Sequence, residues 1–398
     1  MKSSGQERPL AAMIVSPRMA AKRLAPSPAG LSGRPYYPSL DGLRCLAIVP
    51  VVWHHSTTHP MGGVLGRGPL GIDLFFAVSG FLITSLLLHE RREAEARGET
   101  IALGDFWIRR SLRIFPLYYF VLGGFTLHAL ISRPAGPVRD YFLASVPYYA
   151  TYTSNWFLWR PVPHPIVFAF AWSLATEEQF YLVWPPILRR ARGLLVPALV
   201  MAGLVALDQG AEQGWLAPIL GEGLALNVTR SFATPIGLGA LAAVLFEWAP
   251  RSKPATRVLD ALFGHRLSSV IALAFVAVAL VWPWPLLSTH LTLTALVVAC
   301  TRRPDHALAW LFDYPVAKHV GTVSYGMYLL NVPIVSAVRR VLGLEADAAL
   351  VFALSLPATV LVATVTYRCI ERPFLKWRER FRRPRETATS RIFSISER

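Results

Sequence analysis

The chain has 398 residues, of which 54% are hydrophobic and only 16% are charged, and its formal net charge is +16. A soluble domain usually carries about a quarter charged residues, so this composition argues against a soluble protein and indicates one embedded in a bilayer. The basic residues lie in short clusters between apolar stretches and near both ends. This distribution argues against a nucleic-acid-binding surface and is typical of loops and tails beside anionic membrane lipids.

The two ends of the chain differ in composition from its middle. Residues 1–35 are rich in proline, alanine, serine and arginine and contain no long apolar run. We interpret them as a disordered basic cytoplasmic tail rather than a signal peptide. Residues 371–398 predict a second basic cytoplasmic tail. The middle, residues 36–370, is predicted to form one transmembrane domain.

Ten apolar stretches follow one another through this middle part. A helix that crosses a bilayer needs about 20 residues, and most of the stretches approach that length. They lie near residues 43–62, 69–88, 113–132, 165–188, 194–207, 229–248, 267–282, 285–300, 319–338 and 348–369. The aromatic-rich segment 141–158 fits an interfacial or re-entrant position better than a full span. The predicted fold class is therefore an all-α, polytopic transmembrane bundle of about ten spans.

Charge in the connecting loops predicts how these spans are oriented. Arginine and lysine are concentrated in alternate loops, as the positive-inside rule requires, whereas the loop at 208–228 is acidic. The basic loops are those at 89–113, 189–193, 249–266 and 301–318. Both termini are therefore predicted to lie in the cytoplasm, with the protein in the inner or plasma membrane of the cell.

Ionisable residues inside predicted spans are costly and usually functional. In the first span, Arg44 and His55 are eleven residues apart, about three helical turns, so they share one face and differ in depth by roughly 16 Å. In the fourth span, Glu178 lies eleven residues from Arg189 and therefore at a similar depth to His55. A histidine held by a carboxylate is a common general base. The alternative for His55 and Glu178 is a structural polar clamp between two helices.

Three arginines are predicted to lie at the cytoplasmic edge of the bundle. Arg110 and Arg113 are i,i+3 neighbours at the start of the third span, and Arg44 lies at the start of the first. Because guanidinium groups bind phosphates bidentately, the three residues predict a cationic rim for a phosphate-bearing ligand. The alternative is that they only fix the topology and extend their charges towards the headgroups.

Two further polar side chains fall inside predicted spans. Asp73 in the second span could receive an acceptor hydroxyl or anchor a helix end, and the sequence leaves both open. Asn331 in the ninth span could orient a substrate or form a hydrogen bond between helices. His55 and His59 are spaced i,i+4, but no acidic residue accompanies them as in zinc-binding helices, so no metal is predicted.

The motifs around these residues, taken in order, resemble the membrane-bound acyltransferase 3 family from Tyr37 to Trp377. The matching segments are Leu40-Asp41-Gly42-Leu43-Arg44 with His55, Gly71-Ile72-Asp73-Leu74-Phe75-Phe76 through Ser79-Gly80-Phe81, Arg110-Ser111-Leu112-Arg113-Ile114-Phe115-Pro116, Trp172-Ser173-Leu174, Glu177-Glu178-Gln179-Phe180-Tyr181, Ser324-Tyr325-Gly326-Met327-Tyr328-Leu329 and Glu371-Arg372-Pro373. Each segment is weak alone, but their order makes the resemblance specific. It implies a ten-span O-acyltransferase that uses acyl-CoA, often acetyl-CoA.

The resemblance also implies roles for individual residues. His55 becomes the catalytic base, Arg110 and Arg113 become donor-side residues, and Glu177 and Glu178 become active-site carboxylates. Members of this family commonly have histidine at the position of Asn331, so this chain departs from the family there. Acceptors in the family include surface glycans, lipid-linked sugars and antibiotics.

The predicted mechanism combines both lines of reasoning. Acyl-CoA is the donor substrate, with its phosphates held by Arg44, Arg110 and Arg113, and no cofactor is bound permanently. His55, assisted by Glu178, deprotonates a hydroxyl of a glycan or glycolipid. The residues predicted to bind substrate are Asp73, Tyr181, Tyr325 and Asn331. The alternatives are acylation of a macrolide-like small molecule, and a proton-coupled membrane transporter that uses the same intramembrane histidine and glutamate.

Overall fold

The structure is a computed structural model that describes residues 36–57, 66–132, 134–158, 168–282, 284–343 and 346–381. Every regular element in these ranges is helical, which confirms the predicted all-α class. The helices are α1 (Ser39–Ser56), α2 (Leu70–Glu95), α3 (Leu103–Ser132), α4 (Pro137–Ala150), α5 (Ser154–Phe157), α6 (Ala171–Arg190), α7 (Leu195–Glu212), α8 (Ala217–Leu220), α9 (Glu222–Phe232), α10 (Thr234–Trp248), α11 (Lys253–Phe263), α12 (Ser268–Val281), α13 (Leu286–Arg302), α14 (Ala309–Phe312), α15 (Pro315–Leu342), α16 (Ala348–Thr366) and α17 (Arg372–Arg378). A π-helical segment, Tyr367–Glu371, joins α16 to α17.

Five helices in the described ranges are long and apolar enough to cross a membrane, and the number rises to seven if two bent pairs each count as one span. The five are α2, α3, α7, α15 and the continuous run from α16 to Phe381, and the bent pairs are α9 with α10 and α11 with α12. The predicted count of ten is therefore not confirmed. α1 and α6 are 18 and 20 residues long, but the polar side chains they carry lower their hydropathy.

The predicted loop 89–113 is mostly helical. α2 continues to Glu95 and α3 already begins at Leu103, so the non-helical connection between them is short. Ion pairs stabilise these helix extensions, because Arg91 contacts Glu95 at 2.6 Å and Arg109 contacts Glu90 at 2.8 Å. The predicted tail at 1–35 lies outside the described residues. Of the tail predicted at 371–398, residues 382–398 also lie outside them, whereas Arg372–Arg378 forms α17.

Backbone-to-backbone contacts hold α2 against α10. A Cβ atom added at Gly80 would clash with the carbonyl oxygen of Ile236, and one added at Gly239 would clash with the carbonyl oxygen of Ala77. Such reciprocal approaches need small residues on both helices, as is usual between transmembrane helices. Gly321 of α15 approaches the backbone of Asp41 in the same way, so α1 lies between α2 and α15. These contacts fix three of the helices that surround the site.

Candidate active site

Five helices, α1, α2, α3, α6 and α15, line a partly open cavity of about 90 Å³. Its lining combines arginine, serine, tyrosine and one glutamate with apolar side chains. The residues are Arg44, Ile72, Phe75, Phe76, Ser79, Leu82, Ile83, Arg110, Arg113, Ile114, Ser173, Leu174, Glu177, Tyr181, Ser324, Tyr325 and Tyr328. Concave sites with a few converging polar groups are the usual form of small-molecule sites.

The three arginines predicted to form a cationic rim all line this cavity. Arg44 forms an ion pair with Asp41 at 2.9 Å, one turn earlier on α1. The Arg110 guanidinium lies over the ring of Tyr181, 5.3 Å from its centroid. Arg113 makes no ion pair or hydrogen bond with any residue in the described ranges. The cavity therefore carries more positive than negative charge, which favours an anionic ligand.

Glu177 is the one carboxylate in the cavity lining, and two hydroxyl groups hold it in place. Ser79 of α2 donates a hydrogen bond to Glu177 Oε1. Tyr181, one turn further along α6, donates to the same oxygen at 2.5 Å. The carboxyl group of Glu177 is therefore held in one orientation by hydroxyl groups from α2 and α6. It lines the same cavity as Arg110.

Two hydroxyl groups connect α6 and α15 across the cavity wall. Ser173 Oγ and Tyr328 OH are 2.6 Å apart, and Tyr328 OH also donates to the carbonyl oxygen of Phe170 at 2.9 Å. Tyr325, one turn before Tyr328, lines the cavity and donates to the carbonyl oxygen of Ile114 at 2.8 Å. The predicted substrate-binding residues Tyr181 and Tyr325 therefore both face the cavity.

His55 and Asn331 lie outside the cavity lining. Asn331 is fully buried and donates from Nδ2 to the carbonyl oxygens of Met327 and Tyr328, at 3.0 and 2.7 Å. Its side chain is the polar group that interacts with the His55 imidazole. Asn331 Oδ1 and His55 Nδ1 are both buried without a hydrogen bond of normal geometry in the described residues. Asn331 is therefore a neighbour of the predicted catalytic base.

Glu178 does not meet His55. The two side chains make no hydrogen bond or ion pair with each other in the described residues, and Glu178 Oε1 is buried without a partner there. Neighbouring residues on a helix point about 100° apart, so the turn that aims Glu177 into the cavity aims Glu178 elsewhere. Glu178 lies instead near Tyr118 and Tyr152. Its predicted contact with His55 is thus absent from the structure.

Asp73 lies in the first turn of α2 and pairs with a histidine that sequence reasoning missed. Its Oδ2 atom is 3.4 Å from His290 Nε2 on α13. This is an ion-pair distance without hydrogen-bond geometry. His290 is 4% exposed and falls within the predicted span 285–300, so the rule that flagged His55 should also have flagged it.

Asp208 is a second missed residue near this pair. The acidic loop predicted at 208–228 begins with it, but the structure places it in α7, where it is 4% exposed. Its Oδ2 atom accepts hydrogen bonds from the backbone and hydroxyl groups of Thr234, at 2.7 and 2.5 Å. In the described ranges, no three histidine, cysteine, aspartate or glutamate residues form a group that could hold a metal ion.

Residues 37–368 match the acyltransferase domain that defines the acyltransferase 3 family, a region that contains every residue lining the cavity. The chain belongs to the acyltransferase 3 family. It is a multi-pass membrane protein of this family, and the predicted family is confirmed.

Two proteins similar to this chain are considerably longer than it. The chain is 28% identical over 392 residues to the peptidoglycan O-acetyltransferase OatA of Listeria monocytogenes, covering 86% of this chain and 56% of OatA. It is 30% identical over 369 residues to YrhL of Bacillus subtilis, covering 85% of this chain and 55% of YrhL. The chain thus spans little more than half the length of these curated relatives. No solved structure matches it.

Proposed function

We propose that this chain is an integral membrane O-acyltransferase that moves an acyl group, acetyl in the simplest case, from acyl-CoA to a hydroxyl of a glycan or glycolipid. The observation that carries the proposal is the cationic cavity, in which three arginines meet one fixed carboxylate, Glu177. Family membership supports acyl transfer. The name of the OatA relative supports acetyl as the group and a glycan as the acceptor.

The arginines are proposed to bind the donor. Coenzyme A carries several phosphate groups, and guanidinium groups bind phosphate with charge-assisted, often bidentate hydrogen bonds. Arg113 suits this role because it lines the cavity and makes no hydrogen bond or ion pair with the described residues, although Glu371 lies within electrostatic range of it. The positive-inside rule predicts a cytoplasmic position for this end of the bundle, and acyl-CoA is available in the cytoplasm. Tyr181 and Tyr325 would contact the donor from the cavity wall.

His55 is proposed as the general base for the acceptor hydroxyl. An imidazole can take the proton of a hydroxyl as its oxygen attacks an acyl carbon, and it then passes the proton to the group that leaves that carbon. Since Glu178 does not contact His55, we assign the positioning of the imidazole to Asn331 instead. Asp73, which pairs with His290, is not assigned to the acceptor site.

The proposal is tested by CoA binding and acetyl-CoA turnover with the detergent-purified chain. We expect wild-type protein to bind CoA, with affinity that falls as salt is raised, and to release CoA from acetyl-CoA when a glycan acceptor is added. His55→Ala is expected to keep CoA binding and to lose transfer. His128→Ala, which removes an exposed histidine of α3, serves as its control. Absence of CoA binding by the wild-type protein would contradict the proposal and favour the transporter alternative.

A further inference from the structure

The Ser79 hydroxyl bonds to a carboxylate on another helix, as the Thr234 hydroxyl also does, rather than to the backbone of its own helix. Serine and threonine inside a helix usually donate back to the carbonyl oxygen four residues earlier. In this chain, Ser56 donates to Val52, Ser145 to Tyr141 and Thr359 to Ser355 in this way. The Ser79 hydroxyl instead donates to a carboxylate on another helix, 98 residues away in sequence. Its orientation is therefore set by Glu177 rather than by its own backbone.

This arrangement leaves Ser79 Oγ as a candidate nucleophile. A serine becomes nucleophilic when a neighbouring base accepts its proton during attack. Glu177 Oε1 is that acceptor, and Tyr181 holds the same oxygen with a second hydrogen bond. Because the Ser79 proton points to Glu177, the lone pairs of Oγ remain free for an acyl carbon in the cavity. Both Ser79 and Glu177 line that cavity together with Arg110.

The cavity proposed to hold the donor contains Ser79 and Glu177 but not His55. The arginines proposed to bind CoA line the same cavity, so a thioester held beside Arg110 would lie close to Ser79 and Glu177. His55 keeps its proposed role as base for the acceptor hydroxyl. Guanidinium groups near the thioester would also stabilise the negative charge that develops on its carbonyl oxygen.

We propose that Ser79 is the catalytic nucleophile of a first half-reaction that forms an acyl-serine ester, an inference that rests on the proposed acyltransferase function. Ser79 Oγ forms a bond to the acyl carbon, and the bond from that carbon to the CoA sulfur breaks. The Ser79 proton passes to Glu177 and then to the departing thiolate, which leaves as CoA thiol. In the second half-reaction, the acceptor oxygen bonds to the acyl carbon, the ester bond to Ser79 breaks, and the acceptor proton ends on Ser79 Oγ.

The test is acid quenching of purified protein after brief incubation with radiolabelled acetyl-CoA and no acceptor, followed by peptide mapping. Wild-type protein is expected to carry acetyl on the peptide that contains Ser79, and hydroxylamine should remove it as an ester. Ser79→Ala should lose this label and slow transfer to a glycan acceptor by about 10³-fold while it still binds CoA. Ser85→Ala, a buried serine of the same helix outside the cavity lining, should label normally.

Three outcomes would overturn the inference. Label on another residue, such as His55, would reassign the nucleophile. A Ser79→Ala variant that transfers acetyl at the wild-type rate would show that no acyl-serine is needed. If Ser79→Ala fails to bind CoA, Ser79→Cys decides the question. A thioester at position 79 then supports the inference, and a CoA-binding Cys variant without label refutes it. Failure of the proposed function itself is recognised separately, because wild-type protein would then not bind CoA at all.

Discussion

Two sides of α2 carry polar residues that are arranged in different ways. On one side, Ser79 lines a cavity that also contains Arg113, a guanidinium without a hydrogen bond or ion pair in the described ranges. On the other, Asp73 pairs with His290, and nearby Asp208 accepts two hydrogen bonds from Thr234. The second cluster largely satisfies its own charges, whereas the first leaves positive charge for a ligand. Polar side chains inside the bundle thus indicate a ligand site where they surround a cavity and lack protein partners.

The largest expected effect is that of Glu177→Gln on acyl transfer. An amide keeps the size of the side chain but cannot take the Ser79 proton, so transfer from acetyl-CoA should fall by about 10²- to 10⁴-fold. Glu178→Gln is the matched control, because it changes the next residue, which is outside the cavity lining. Steady-state rates with a glycan acceptor measure both. An equal loss of transfer rate in the two variants would contradict a specific role of Glu177 as the proton acceptor for Ser79.

The next largest effect concerns donor affinity. Arg113→Ala removes a guanidinium from the cavity, and loss of charge-assisted hydrogen bonds should weaken CoA binding by roughly 10- to 100-fold. Arg139→Ala is the control, since Arg139 pairs with Asp140 on α4, outside the cavity lining. Isothermal titration at two salt concentrations measures the change. An unchanged Kd in Arg113→Ala would remove this arginine from the donor site.

A smaller effect, on stability alone, is expected on the other side of α2. Thr234→Val removes the hydroxyl that donates to Asp208 and leaves part of a buried carboxylate unsatisfied, which costs about 1–3 kcal/mol. The melting temperature of the purified protein should fall, while CoA affinity stays at the wild-type value. Loss of CoA binding without a change in melting temperature would mean that the Asp208 cluster serves the ligand.

The smallest effect is expected for His290→Gln. The side chain keeps a polar group near Asp73, so acyl transfer should remain within about twofold of the wild-type rate, as for a substitution outside the reacting groups. Transfer rates and melting curves measured side by side check this. A large loss of transfer with unchanged CoA affinity would instead make the Asp73–His290 pair part of the acceptor half-reaction, and the contrast between the two sides would disappear.

The three arginines that the sequence analysis grouped together line one cavity, and their role in donor binding stays a prediction. Arg110 and Arg113 repeat at i,i+3, and charge bias placed Arg44 at the same membrane edge, so their convergence on one cavity followed from periodicity and topology. The predicted contact between His55 and Glu178 is absent from the described residues, because two residues at the same depth can point in different directions around their helices. The sequence also could not show that α13 would bring His290 to Asp73, since no pattern in α2 identifies its neighbours.

The number of spans was hard to predict for a related reason. Apolar runs reveal where a helix is hydrophobic, but not that α9 and α10 meet at 45° or α11 and α12 at 68°. Conversely, α1 and α6 carry His55 and Glu177 and are therefore less apolar than ordinary spans. The helices that carry the proposed catalytic residues are thus the ones that hydropathy is least able to identify as membrane spans.

The glycine contacts between α2 and α10 have a consequence for motion. Where two backbones touch at Gly80 and Gly239, neither helix can slide or rotate past the other without a steric clash, so the pair behaves as a single rigid body. Ser79, next to Gly80, then belongs to the stationary wall of the cavity. If the cavity has to widen to admit a ligand, we expect α3 and α6 to move rather than this pair, and Arg110 and Arg113 would then move with α3.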